Sequence, residues 1–311
     1  MKMSIKHTYK RSVKKGGFTV INCLACGFWH VYPVPSENEL SAYYQNKYYQ
    51  NIQDNRSMSD KLADLDDFYQ IQYGDRLRRI EKTLLSTLPK TILDIGSGYG
   101  DFLRYSNKKG WDVQGVEPSR YAYESITDHK QLNIKCGSVE DLDKLDLASA
   151  SVVTLNNVLE HVRDPISVLR IIKDKLLLPG GVLCLIVPND FSILQHILTK
   201  TVLRRSPQKH FYWVAPLDHL NYWSVHSMKR FLNNNGLKVM STTTDFPMEV
   251  FPLAGFNYID NPEIGRRAHL ARVKFEKYLY RKGYFGIKDS IFTALAHIGV
   301  GRDVQICAKV G

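Results

Sequence analysis

The sequence predicts an α/β domain built on a mostly parallel sheet. From residue 91 onward, short apolar runs alternate with segments of helical periodicity, the pattern of strands joined by crossover helices. The first run, Ile92 to Ile95, enters a turn with glycine at alternate positions, Gly96, Gly98 and Gly100. The second run ends on an acid, Glu117, 21 residues after Gly96. Glycines between a strand and a helix let the backbone bend sharply and expose N–H groups to a ligand. An acid ending the next strand reaches the hydroxyls of a ribose.

In chain order, strands are expected at 91–95, 112–117, 132–136, 151–155 and 181–187, then at 237–243 and 304–310, seven in all. Helices are expected to open near Gly100, at Ser119 and after Asp164-Pro165, where an N-cap Asp precedes proline at the first helical position. Leu62, Leu65, Phe68 and Ile71, then Leu77, Ile80, Leu84 and Leu85, make residues 60–88 helical in pattern, with Pro89 as the stop. A helix at 226–235 ends at Gly236. The resulting division is a ribbon-like N-terminal segment over 1–50, a helical lead-in over 51–88 and the main domain over 89–311. Two irregular, aromatic-rich insertions, 189–224 and 244–300, are expected to cover an acceptor.

Composition narrows the class. The chain has 311 residues and 44% hydrophobic content, enough for a substantial core. No apolar run approaches the roughly 18 residues that span a bilayer, and the charged N-terminus lacks a signal-peptide core. The expectation is a cytoplasmic protein. Five cysteines, an odd number, three of them in strand-like runs, suggest reduced thiols rather than a disulfide framework. The net charge of +11 suits nucleic acid, an anionic membrane surface or a phosphorylated small molecule, and equally a merely basic surface. Part of it lies in the arm Lys2 to Lys15.

Cys23-Leu-Ala-Cys26-Gly-Phe has the shape of one zinc knuckle. A closed structural site needs four ligands, no cysteine precedes Cys23, and the next is Cys136. His7 and His30 stand nearby at spacings that match no ribbon pattern, so the expectation is a ribbon-shaped remnant with no metal. The Tyr-rich stretch Tyr43 to Tyr49 is read as helical.

A dinucleotide turn wants G-x-G-x-x-G, but its last position here is Asp101. The G-x-G-x-G spacing with Glu117 favours S-adenosylmethionine (AdoMet). Leu93-Asp-Ile-Gly-Ser-Gly-Tyr-Gly100, Val116-Glu-Pro-Ser119, Asn157-Val-Leu-Glu-His-Val162 and Leu178-Pro-Gly-Gly181 resemble, in order and spacing, the motifs of class I AdoMet-dependent methyltransferases over about 86–245. That resemblance implies a Rossmann-like fold, a seven-stranded sheet flanked by helices, and AdoMet as cofactor. It also implies that Asp94, Gly96, Ser97, Gly98 and Gly100 hold the amino-acid part of AdoMet and that Glu117, with Pro118, meets the ribose. Val139 and Glu140 would border the adenine, while Asn156 and Asn157 would close the site beside the sulfonium.

More locally, Cys23-x-x-Cys26-Gly-Phe, Pro33-x-Pro35, Tyr43-Tyr44 and His219-Leu-Asn-Tyr-Trp-Ser224 resemble a bacterial methyltransferase group found with surface-polysaccharide or sugar-modifying enzymes. A complete ribbon in that group carries two C-x-x-C pairs, and one is present here.

Methyl transfer to oxygen needs an aligned acceptor about 3 Å from the methyl carbon and a group to take its proton. His161 and His219 are the candidate bases, each with a packing alternative. Ubiquinone-type O-methyltransferases carry E-x-x-E-H where this chain has Asn157 in place of the first acid, with Glu160 and His161 retained. Glu160, Tyr222, Trp223 and Glu249 are the candidate acceptor contacts, the two aromatics as a stacking surface for a sugar. The basic helix with Arg266, Arg267, Arg272 and Lys274 reads as a phosphate contact or a solvated face. The expected reaction is O-methylation of a sugar, a nucleotide-sugar or another small or carrier-linked hydroxylated acceptor. Quinone or lipid acceptors, nucleic acid and a non-catalytic AdoMet-binding role are the alternatives. Nucleic acid is disfavoured because Leu155-Asn-Asn-Val158 lacks the prolines that amino-methylating DNA enzymes carry after strand four.

Overall fold

The computed structural model describes residues 6–36, 38–40 and 63–311. The Tyr43 to Tyr49 stretch, Lys2 and residues 60–62 lie outside the described residues. The chain divides into two compact units, one of residues 72–187, 229–243 and 304–311, the other of the remaining segments, 1–71, 188–228 and 244–303.

The first unit carries a seven-stranded sheet. Its strands are β4 (Thr91–Ile95), β5 (Asp112–Glu117), β6 (Ile134–Cys136), β7 (Ala150–Asn156), β8 (Leu177–Pro188), β10 (Leu237–Thr244) and β11 (Asp303–Val310), in the order β10-β11-β8-β7-β4-β5-β6. The β4–β5, β5–β6, β4–β7 and β7–β8 pairs are all parallel. The seven strands match the expected ones, with β8 starting earlier, at Leu177. Near-continuous apolar runs such as Ile92, Leu93 and Ile95, each at most 1% exposed, are what a sheet covered on both faces requires. Ile80, Phe102, Leu103, Trp111 and Val152 join them in one core.

Four helices of the chain bear on this sheet: α1 (Ala63–Thr83), α2 (Asp101–Lys108), α3 (Arg120–Glu124) and α4 (Pro165–Ile171). Each of the last two starts where its cap predicts. Ser119 accepts from the Ala122 N–H, and Asp164 accepts from the Ser167 N–H with Pro165 next in line. After α4 the chain widens into a π-helical turn, 172–176, before β8.

Topology places the site. The chain runs from β4 outward to β5 and β6, then returns to the other side of β4 as β7. That reversal opens a crevice at the C-terminal ends of β4, β5 and β7, where ligands of open α/β sheets bind. Register brings the three ends level: Ile95 pairs with Val116 on one side and with Leu155 on the other.

The second unit joins three separated segments. β1 (Tyr9–Lys15), β2 (Phe18–Cys23), β3 (Trp29–Val31) and β9 (Asn221–Tyr222) form a four-stranded sheet in that order, with each pair antiparallel. Val20, Val31, Leu40, Val214, Leu220 and Tyr222 form its core. α5 (Ile193–Lys200), α6 (Val225–Asn234), α7 (Val250–Leu253), α8 (Pro262–Arg281) and α9 (Phe285–His297) complete the helices discussed below. Of the four basic residues singled out on α8, Arg266, Arg267 and Lys274 are exposed, as a solvated face requires, and Arg272 departs from that reading. Arg272 is mostly buried and pairs with Asp245 at 3.3 Å and Glu276 at 3.0 Å, and Lys288 of α9 also meets Glu276 at 3.0 Å. No described helix is long and apolar enough to cross a membrane, and none of the five cysteines is in a disulfide.

Candidate active site

The glycine turn is shaped by its neighbours. A side chain on Gly96 would put its Cβ 2.5 Å from a Val158 methyl, and Gly96 has φ 74°. Gly98 has φ 56°, yet nothing lies within 4 Å of where its Cβ would be. Gly96 is therefore required by packing, whereas Gly98 keeps a space open on the ligand side of the turn. The turn is pinned to β5 by the Gly96 and Ser97 N–H groups, both donating to the Val116 carbonyl at 2.8 and 3.0 Å.

Glu117 closes the crevice from the end of β5. Its Oε2 accepts from the Gly98 N–H at 2.7 Å and its Oε1 from the Ser119 N–H at 2.8 Å, so both oxygens are held in fixed directions. Burial pushes its carboxyl up to about 7, against the pull of those two N–H bonds, and the nearby Asp94 charge adds to the rise. Asp94, on β4, accepts hydrogen bonds from the Thr154 hydroxyl and, at 3.1 Å, from the Asn156 amide, both on β7. Burial raises Asp94 to about 6, with the two hydrogen bonds and the Arg76 charge opposing. The Ser97 hydroxyl, in the turn after β4, is buried without a partner.

The other expected cofactor residues lie at the same sheet edge. Pro118 follows Glu117 directly, and Gly100 caps α2. Val139 is buried in a short 3-10 turn, 139–141, after β6. Glu140, in that turn, is exposed but committed: its Oε1 accepts from the Arg163 N–H at 3.0 Å, bracing the chain after β7. Asn157 is exposed at φ 54°, a left-handed conformation that costs energy and recurs at functional sites. It is fixed by its N–H donating to the Ile186 carbonyl at 2.8 Å.

Glu160 and His161 occupy a turn after β7, not the first turn of a helix. The Glu160 side chain is 1% exposed, and His161 Nε2 stands 3.9 Å from its Oε1.

The remaining expected contacts belong to the second unit. His219 is half-buried, its Nε2 3.9 Å from Asp218 Oδ2, and its backbone N–H donates to the Ala215 carbonyl at 2.7 Å. Tyr222 and Trp223 do not form an open stacking surface for a sugar. They are 1% and 0% exposed, because Tyr222 lies in β9 beside β3 and Trp223 packs on Phe28 with ring centroids 4.3 Å apart. Glu249 is buried too, near Gln195, and burial raises its carboxyl while the Arg302 charge opposes the rise.

Two residues escaped the sequence reading. Arg76, on α1, lays its guanidinium over the Phe102 ring at 4.7 Å and is close enough to favour the charged form of Asp94. Its Nε is buried with no hydrogen-bond partner. No motif marks it, since a lone Arg in an amphipathic helix looks like a surface residue. Asp190 is buried and pushed up to about 8 by burial. Its place two residues beyond β8, at a strand's C-terminal end, was the available signal.

The crevice fits AdoMet by its polar groups: an open glycine turn, a carboxylate oriented at the end of β5, and a buried hydroxyl and guanidinium nitrogen with no partner.

Comparison with known proteins agrees. Residues 66–242, more than half of the chain, match the sequence model of the family described as methyltransferase domain. The chain is 32% identical over 111 residues to a ubiquinone biosynthesis O-methyltransferase of Idiomarina loihiensis, covering 34% of this chain and 45% of that protein. It is 32% identical over 99 residues to the enzyme of the same name from Neisseria meningitidis, covering 30% of this chain and 41% of that one. The matched stretches thus span less than half the length of these relatives. Among solved structures, the plantazolicin methyltransferase BpumL in complex with SAH (S-adenosylhomocysteine) is similar at a TM-score of 0.49 and 13% identity, covering 86% of this chain and 92% of that one. A SAM dependent methyltransferase from Archaeoglobus fulgidus is similar at 0.46 and 17%, covering 77% and 94%. The glycine turn, the acid ending β5 and the family match over 66–242 together make this chain a member of the AdoMet-dependent methyltransferases.

Proposed function

We propose that the chain transfers the methyl group of AdoMet to a hydroxyl oxygen of a small acceptor, with His161 as the base. The observation that carries this is the Glu160–His161 pair, standing after β7 at the sheet edge that also holds Gly98 and Glu117. Bound AdoMet supplies an electrophilic methyl carbon on a sulfonium.

Asp94 and the Arg76 guanidinium are matched to the ammonium and carboxylate of the amino-acid part, and Glu117 accepts from the ribose hydroxyls. Asn156 and Asn157 flank the point where β7 ends. His161 would take the acceptor's hydroxyl proton, and bound AdoMet would supply the methyl group to that oxygen, the carbon–sulfur electron pair staying with sulfur. The buried Glu160 carboxylate beside the ring stabilises the imidazolium that results.

A sugar or nucleotide-sugar hydroxyl is the first acceptor class, on the strength of the ribbon-like N-terminal segment and the His219 to Ser224 stretch. A phenolic acceptor of the quinone type is the second, favoured by the relatives named ubiquinone biosynthesis O-methyltransferases. A phenol ionises near pH 10 and asks less of the base than an alkyl hydroxyl does. Purified protein, methyl-labelled AdoMet, and parallel panels of nucleotide sugars, glycans and catechols test the assignment. Label on a sugar oxygen supports the first class and on a phenol oxygen the second. Label only on nitrogen or carbon rejects transfer to oxygen.

A further inference from the structure

We propose that His7, Cys23, Cys26 and His30 hold one zinc ion in a closed structural site. One ligand atom from each of the four lies within 4.8 Å of the others. His7 Nδ1 is 3.4 Å from Cys23 Sγ and 3.5 Å from Cys26 Sγ. Zinc bonds of about 2.3 Å to sulfur and about 2.0 Å to nitrogen, at tetrahedral angles, place those two atom types roughly 3.5 Å apart. The imidazole and both thiols therefore already stand at the edges of a zinc tetrahedron.

His30 supplies an independent observation. It is 4% exposed on β3, and its Nδ1 lies 2.8 Å from the Val31 carbonyl, which can only accept. The proton is thus on Nδ1, and Nε2 is left with a lone pair. That Nε2 is buried without a hydrogen-bond partner. A metal-binding imidazole has this arrangement, one nitrogen anchored to a carbonyl and the other bare. The His30 ring also packs on His7, centroids 4.9 Å apart.

The backbone holds the thiols as a knuckle. The Cys26 N–H points at Cys23 Sγ at 3.4 Å, the Gly27 N–H donates to the Cys23 carbonyl at 2.9 Å, and Gly27 has φ 80°. The Leu24 N–H donates to the Thr8 carbonyl at 2.8 Å, fastening the segment of His7 to this turn. Binding forms two Zn–S and two Zn–N bonds, and each thiol gives its proton to solvent. The ion and two thiolates then carry no net charge, which keeps burial inexpensive. The ion would fasten the approach to β1, the turn after β2 and the strand β3 to one another.

The test uses the full chain, stripped with a chelator and titrated with Zn²⁺ and, separately, Co²⁺ under reducing conditions. One equivalent of zinc, two protons released, and a cobalt spectrum with thiolate charge transfer and intense tetrahedral d–d bands are expected. Cys26→Ser and His7→Gln should each weaken metal affinity about a hundredfold or more, with SAH binding retained as the sign of a folded chain. His7 is only partly buried, ahead of β1, so its replacement leaves the strands intact. Less than a tenth of an equivalent of zinc, weak octahedral cobalt bands, or equal affinity in both variants would overturn the site.

Discussion

The two units of this chain use their polar groups differently. In the sheet unit, buried carboxylates stay poorly neutralised: Asp94 and Glu117 are raised to about 6 and about 7 because burial outweighs the hydrogen bonds they receive. In the other unit Glu276 is paired, meeting Arg272 and Lys288 at 3.0 Å each, while burial raises Asp190 to about 8 and raises Glu249 as well. Charges held at an energetic disadvantage mark a site awaiting a ligand, and charges held in pairs mark architecture. By that criterion Asp94 and Glu117, at the ends of β4 and β5, are candidate binding groups in the sheet unit, and Asp190 and Glu249 are candidates in the other.

The sharpest way to break the contrast is Gly98→Arg, which fills the open side of the turn. SAH affinity, read by calorimetry, should fall below detection, while the circular dichroism spectrum is retained. Retained affinity would remove the glycine turn from the site.

His161→Ala should lower kcat by ~10²–10⁴ with the SAH dissociation constant unchanged. A similar loss in kcat from His219→Ala, with none from His161→Ala, would transfer the role of base to the second unit.

On the architectural side, Glu276→Ala removes the carboxylate shared by two buried cations, leaving Arg272 with Asp245. Chemical denaturation should show a loss of about 3–5 kcal/mol. A loss under 1 kcal/mol would deny that these pairs are a buried network.

Glu117→Gln keeps shape and removes charge. SAH should bind roughly ten- to hundredfold more weakly, the range for hydrogen bonds to a charged group. The pH dependence gives a second reading. In the proposed site the ionised carboxylate accepts from the ribose; burial raises it to about 7, so affinity should fall as pH drops below 7, by roughly tenfold per unit. Asp94 adds a further fall below about 6. In Glu117→Gln the first fall should vanish; its persistence would assign the titration elsewhere.

The smallest effect is expected at Arg120, whose pair with Glu124 on α3 is solvent-exposed on both sides. Arg120→Ala should leave the melting temperature unchanged within error.

The sheet unit was legible because local rules build it. A buried parallel strand is a short apolar run, a helix start is a capping residue, and the Rossmann turn needs glycine at particular positions. All are readable within a few residues, so 91–95, 112–117 and the caps at Ser119 and Asp164 emerged with their boundaries. The second unit draws on segments far apart in sequence, since β3 pairs with β9 through Trp29 and Tyr222, 193 residues on. No local pattern announces such a pairing, and that is why Tyr222 and Trp223 read as an exposed aromatic surface and are found as core.

The sequence by itself determined the order of strands and helices, the AdoMet turn and the acid that faces it, since each follows from backbone conformation and hydrophobic period over short spans. Only the tertiary structure decided which side chains meet. It brought Arg76 toward Asp94, buried Arg272 between two acids, and gathered His7 and His30 around Cys23 and Cys26. Spacing along a chain specifies neighbours only while the chain keeps a regular path; across a hairpin and between strands, distance is set by register and packing.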